Sequence, residues 1–67
     1  MNFNGEELML MMLYNTGSRL GLMQELRLMQ CYLMPDETAL RELSEGIIEK
    51  LKLLTDAEFA EVEFPMD

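Results

Sequence analysis

Apolar residues recur at helical spacing along most of this 67-residue chain, and no segment shows the strict alternation of a strand. From 40 to 54, Leu40, Leu43, Ile47, Leu51 and Leu54 are spaced 3, 4, 4 and 3, so they share one face of a helix. Arg41, Glu42, Glu45, Glu49 and Lys52 take the opposite face. A second segment has a stripe at Leu22, Leu26, Met29 and Leu33, with Leu20, Leu28 and Tyr32 lying off it. A third, Leu8-Met9-Leu10-Met11-Met12-Leu13-Tyr14, is apolar around its whole circumference and wants burial on every side.

Boundary signals delimit these helices. Asn4 with Glu7 three residues later is an N-cap whose acid can reach back to the free amides of the first turn, and this helix should run to Tyr14 or Asn15. Asn15-Thr16-Gly17-Ser18 supplies a breaker and a fresh cap, Thr16 or Ser18. The second helix is expected from about Gly17 to Leu33, ending where Pro35 disfavours helical geometry in Met34. The third is expected to start at Pro35 or Asp36, with Asp36 and Glu37 at the positive end of its dipole, and to end at Leu53 or Leu54. Thr55-Asp56-Ala57-Glu58 opens a short fourth helix over about 56–62, closed by Pro65. The predicted fold is all-α, a small bundle of three helices plus a short C-terminal fourth. It forms a single domain over 1–67, with 1–4 and 64–67 frayed.

Charge divides the chain unevenly. Residues 1–34 hold three acids and two bases, and residues 35–67 hold ten acids and three bases, so nearly all of the net −8 belongs to the second half. Such a chain should be repelled by nucleic acid and by anionic membrane surfaces, and no direct nucleic-acid or membrane binding is expected. DNA binding would need Arg19, Arg27 and Arg41 to converge. The N-terminus runs acidic before a seven-residue apolar stretch, unlike a secretory signal, and a bilayer needs about 20 such residues. A cytoplasmic location is expected, consistent with the single Cys31.

Candidate chemistry is sparse. The chain has no histidine, which removes the usual Cys/His zinc site and the base that Cys31 would need as a nucleophile. Cys31, with Arg27, Leu28 and Met34 one turn away, reads as a small buried or half-buried thiol. Glu42, Glu45 and Glu49 share a solvated face with Arg41 and Lys52 interleaved, which does not make an acid–base pair. Asp56 and Glu58 lack a calcium-loop pattern, and Gly17 and Gly21 lack a phosphate-loop lysine. The chain is expected to be no enzyme, with no catalytic residue, cofactor or metal.

The remaining signals concern contact. Any one of the eight methionines fits a core gap. The first helix, however, has more apolar faces than three short partners can cover, which leaves Leu8, Met9, Met11 and Met12 as candidates for a surface facing a ligand or a second subunit. The C-terminal segment alternates acids with Phe59, Val62 and Phe64. It can dock as an acidic amphipathic peptide or fold back as a lid through Phe59 and Val62, with Phe64 the more exposed. Protein-binding candidates are therefore Leu8, Met9, Met11, Met12, Phe59 and Phe64. Whether the Met/Leu face pairs with its own copy or with another protein stays open.

Leu13-Tyr14-Asn15-Thr16-Gly17, a following helix with Glu25-Leu26 and Met29, then Pro35-Asp36-Glu37, Arg41-Glu42-Leu43 and Thr55-Asp56-Ala57-Glu58-Phe59 together resemble one small family over about residues 8–64. This is the TTRAP family of transposon-encoded proteins, carried on conjugative elements of gut bacteria. The resemblance implies a compact helical protein beside machinery that moves DNA between cells. It carries no catalytic activity and no functional residues across. The function expected is that of a non-enzymatic accessory protein of a mobile genetic element, working through contacts with an unidentified protein. The alternative is an acidic decoy that mimics DNA phosphates and occupies a basic surface of a nucleic-acid-binding protein.

Overall fold

A computed structural model describes residues 3–15 and 17–64 as four helices, with no strand among them. They are α1 (Gly5–Tyr14), α2 (Arg19–Cys31), α3 (Thr38–Leu53) and α4 (Asp56–Ala60). The all-α bundle of three helices and a short fourth is the observed architecture.

The two box sequences form the two boxes. Asn4 Oδ1 accepts the Glu7 amide at 2.8 Å while Glu7 Oε1 accepts the Asn4 amide at 2.9 Å. At α4, Thr55 Oγ1 accepts the Glu58 amide at 3.1 Å and Glu58 Oε1 the Thr55 amide at 2.9 Å. Each box satisfies two amides that a helix start would otherwise leave without partners. Between α1 and α2, Asn15 Oδ1 accepts the Gly17 amide at 2.8 Å. Gly17 takes φ +98°, a left-handed conformation that a side chain disfavours. That conformation keeps Gly17 outside α2, whose start is Arg19, with Ser18 as the cap accepting the Gly21 amide. Thr16, the other candidate cap, lies outside the described residues, as does Pro65.

Besides the start of α2, three boundaries differ from expectation. The second helix ends at Cys31 rather than Leu33, because Tyr32 and Leu33 donate to Met29 and Gln30, a tightened final turn. The third begins at Thr38, not at Pro35 or Asp36. Here Glu37 closes a turn on Met34: its amide donates to the Met34 carbonyl at 3.0 Å, and its Oε2 accepts the Met34 amide at 3.1 Å. Residues 35–37 are held in that turn, and the helix starts after it. The fourth helix stops at Ala60, with one further turn bond from Val62 to the Phe59 carbonyl.

The core gathers Leu10 and Met11 from α1, Leu22, Met23, Leu26 and Met29 from α2, Ile47, Ile48 and Leu51 from α3, and Phe59 from α4. Fully burying one such leucine or isoleucine contributes roughly 1.5–3 kcal/mol, so the core is small but closed. Two polar ties fix α2 antiparallel to α3. Gln30 Nε2 donates to the fully buried Ser44 Oγ at 2.8 Å, and Ser44 in turn donates to the Arg41 carbonyl. At the other end, Arg19 Nη1 donates to the Leu51 carbonyl at 2.9 Å, and Arg19 Nε meets Asp56 Oδ1 at 3.0 Å. One guanidinium thus joins the start of α2, the negative end of α3 and the first turn of α4. No helix among the described residues is long and apolar enough to cross a membrane.

Candidate protein-contact surface

From Leu8 onward α1 is apolar on every side, so periodicity alone leaves its rotation undefined, and the structure supplies it. Glu7, Leu10 and Met11 face inward with Tyr14 half-buried, at spacings of i, i+3, i+4 and i+7. Glu6, Met9, Met12 and Leu13 face outward, with Met9 64%, Met12 44% and Leu13 79% exposed. A carboxylate therefore goes in while two methionines and a leucine stay out. Buried polar groups and exposed apolar patches are the informative departures from ordinary globular practice, and α1 carries both.

What lets Glu7 go in is its set of partners. Its Oε1 accepts from Lys50 Nζ at 2.6 Å as well as from the Asn4 amide. Lys50, on the last turn of α3, also stands 5.4 Å from the centre of the Phe3 ring, within cation–π range. Gly46 on α3 lies beside this carboxylate: a Cβ there would make ordinary contact, 3.6 Å from Glu7 Oε2. Among the described residues, no buried side-chain nitrogen or oxygen lacks a hydrogen-bond partner.

The six candidate contact residues divide. Met9 and Met12 lie on the outward stripe, and Leu13, which sequence reasoning did not single out, is the most exposed residue of it. Leu8 is half-buried against the core. Met11 is fully buried and Phe59 is 8% exposed, so neither can meet a partner without opening the bundle. Phe64 and Val62 are half-buried against the core, so the C-terminal segment folds back as a lid and Phe64 is not its free member. Cys31 is a correction: it is exposed, not buried or half-buried, because it lies on the side of α2 away from Leu26 and Met29.

A second apolar feature was legible only as leucines off the α2 stripe. Leu28 and Tyr32, 55% and 83% exposed, border an open groove with Tyr14 from α1, Met29 and Leu33 from α2 and its end, and Leu40 from α3. Glu25 and Glu37 are its charged members, and it has no basic one. On the α2–α3 face, by contrast, a shallow cleft mixes Glu42, Glu45 and Glu49 with Arg27 and Lys52, and Lys52 pairs with Glu49 at 3.3 Å. Among the described residues, no group of three His, Cys, Asp or Glu is placed to hold a metal ion.

Comparison with known proteins rests on one match. The TTRAP family model, described as "Putative transposon-transfer assisting protein", covers residues 3–65. No curated protein and no solved structure matches the chain. A match across nearly the whole length, spanning both box-capped helices and the turns between them, shows that the chain belongs to the TTRAP family.

Proposed function

We propose that this chain is a non-enzymatic accessory protein of a mobile genetic element, and that it assists transfer by binding another protein through the outward stripe of α1. The family description supports the transfer role. One observation supports the mode of action: α1 buries Glu7 and leaves Met9, Met12 and Leu13 in water. A stripe of that composition is adaptable in shape and gains from being covered. The exposed thiol of Cys31 fits a reducing compartment, and we read the protein as cytoplasmic.

The alternative, an acidic decoy for a DNA-binding surface, needs a continuous row of unpaired acids. The exposed acids of α3 are interrupted by Lys52 and faced by Arg27, which favours the contact reading. The test is transfer frequency in cells lacking the gene and complemented by wild type or by the Met9→Glu/Leu13→Glu double variant. Transfer at least tenfold lower with a folded variant supports the stripe, and wild-type transfer removes it. Sedimentation of the purified chain separates self-association from partner binding, since a salt-insensitive dimer broken by the same variant would assign the stripe to a second copy.

A further inference from the structure

The groove between α1, α2 and the start of α3 is separate from the α1 stripe, and its chemistry is specific enough to name an occupant. Its exposed edge is Leu28 and Tyr32, its far side is Leu40, and its charges are Glu25 and Glu37. Neither carboxylate is in an ion pair among the described residues. Arg41, one turn on from Glu37, is not paired with it either. Glu37 has one oxygen on the Met34 amide and Glu25 makes no side-chain hydrogen bond among the described residues, so both carboxylates remain available to a cationic partner.

We propose that this groove binds a basic amphipathic helix of a partner protein, its apolar side chains against Leu28, Tyr32 and Leu40 and its lysines or arginines against Glu25 and Glu37. Charge complementarity selects this occupant over a second copy. Of the chain's five bases, Arg19, Lys50 and Lys52 are already paired with Asp56, Glu7 and Glu49. The outward stripe of α1 is bordered by Glu6, and the lid by Glu61 and Glu63; Arg27 and Arg41 are the two bases left, so a second copy at net −8 brings few cations to this groove. Like charges opposed in an interface would repel, whereas opposite ones speed encounter and fix register. An amphipathic helix can seat in a groove walled by helices, in the manner of i, i+3, i+4 anchors in an apolar channel. The inference rests on the reading of the chain as a contact protein and adds the kind of partner.

A fluorescein-labelled 14-residue peptide of leucines at helical spacing and lysines elsewhere is the probe, with a glutamate-for-lysine version as its control. Anisotropy titrations compare wild type with Leu28→Lys and Leu20→Lys, which change net charge equally at two exposed positions of α2. Groove binding predicts at least a tenfold weaker affinity for Leu28→Lys, less than a twofold change for Leu20→Lys, and no binding of the acidic control. Glu25→Gln should weaken binding several-fold at low salt and less at high salt. Equal losses in the two lysine variants, or equal binding of both peptides, would mean diffuse attraction to an acidic protein and overturn the groove. Because Leu13 lies outside it, Leu13→Glu should leave the titration unchanged. Failure here with transfer still dependent on Met9 and Leu13 removes the groove and spares the proposed function.

Discussion

Glu7 Oε1 stands 2.6 Å from Lys50 Nζ, so the first turn of α1 is joined to the last turn of α3 through a carboxylate that also completes its own helix cap. The Glu7 side chain is 6% exposed and that of Lys50 30%, which makes the pair largely buried on the acid side and partly open on the other. Removing one partner of a buried pair costs about 3–5 kcal/mol because the other charge is left behind. Lys50 can still reach water, so Glu7→Ala should fall near the lower figure, whereas Lys50→Met strands the more buried charge and should cost as much or more. The Glu7→Gln/Lys50→Met double variant should recover part of that loss. Urea unfolding of the double variant and of Glu7→Gln and Lys50→Met alone checks it, and a double variant whose loss equals the sum of the two single losses would mean the pair is not coupled.

Gly46→Ala should stabilise the protein. Glycine inside a helix is about 1 kcal/mol less favourable than alanine, and the added Cβ makes only ordinary contact, 3.6 Å from Glu7 Oε2. Gly46→Leu puts apolar bulk beside the Glu7 carboxylate and should destabilise. A higher thermal midpoint for alanine and a lower one for leucine is the expected pattern.

The division of α1 predicts opposite outcomes at neighbouring methionines. Met11→Ala empties a fully buried site and should cost about 2–5 kcal/mol. Met9→Ala and Leu13→Ala should change stability by no more than about 0.5 kcal/mol. Equal losses at Met9 and Met11 in denaturant titrations would show that the stripe is covered in solution.

Arg19→Met should loosen α4 more than it destabilises the whole. Asp56 is highly exposed, so its ion pair contributes at most about 1 kcal/mol, but the bond to the Leu51 carbonyl goes with it. Hydrogen exchange should quicken at Glu58 and Phe59 amides while α2 and α3 amides change little.

Cys31 should react with an aromatic disulfide reagent in native buffer at close to the rate of a free thiol, since no opening is needed to reach it. A rate that rises only with denaturant would place it inside.

What could be read from residue order was whatever the chain settles within one turn. The Asn4/Glu7 and Thr55/Glu58 boxes, the Gly17 break and the α3 stripe are local, and all stand where their residue types put them. Pro35 misled because its usual place at a helix start competes with the Glu37 turn, in which one side chain captures the Met34 amide. The rotation of α1 could not be read, since a helix apolar on all sides has no phase. Its phase comes from Lys50, 43 residues away. Leu28 was visible as an odd leucine on α2, but only the arrival of Tyr14 and Leu40 makes a groove of it.

The polar ties also imply an order of assembly. Gln30 and Ser44 are separated by 14 residues, whereas Glu7 and Lys50 are separated by 43. On a flexible chain the longer closure costs about 1 kcal/mol more in entropy, roughly a fivefold lower chance of meeting. The α2–α3 hairpin is therefore the natural nucleus, and α1 docks onto it afterwards. Slow refolding and fast unfolding caused by one substitution then separate along the chain. Ser44 variants should act mainly on the first, and Glu7 variants mainly on the second.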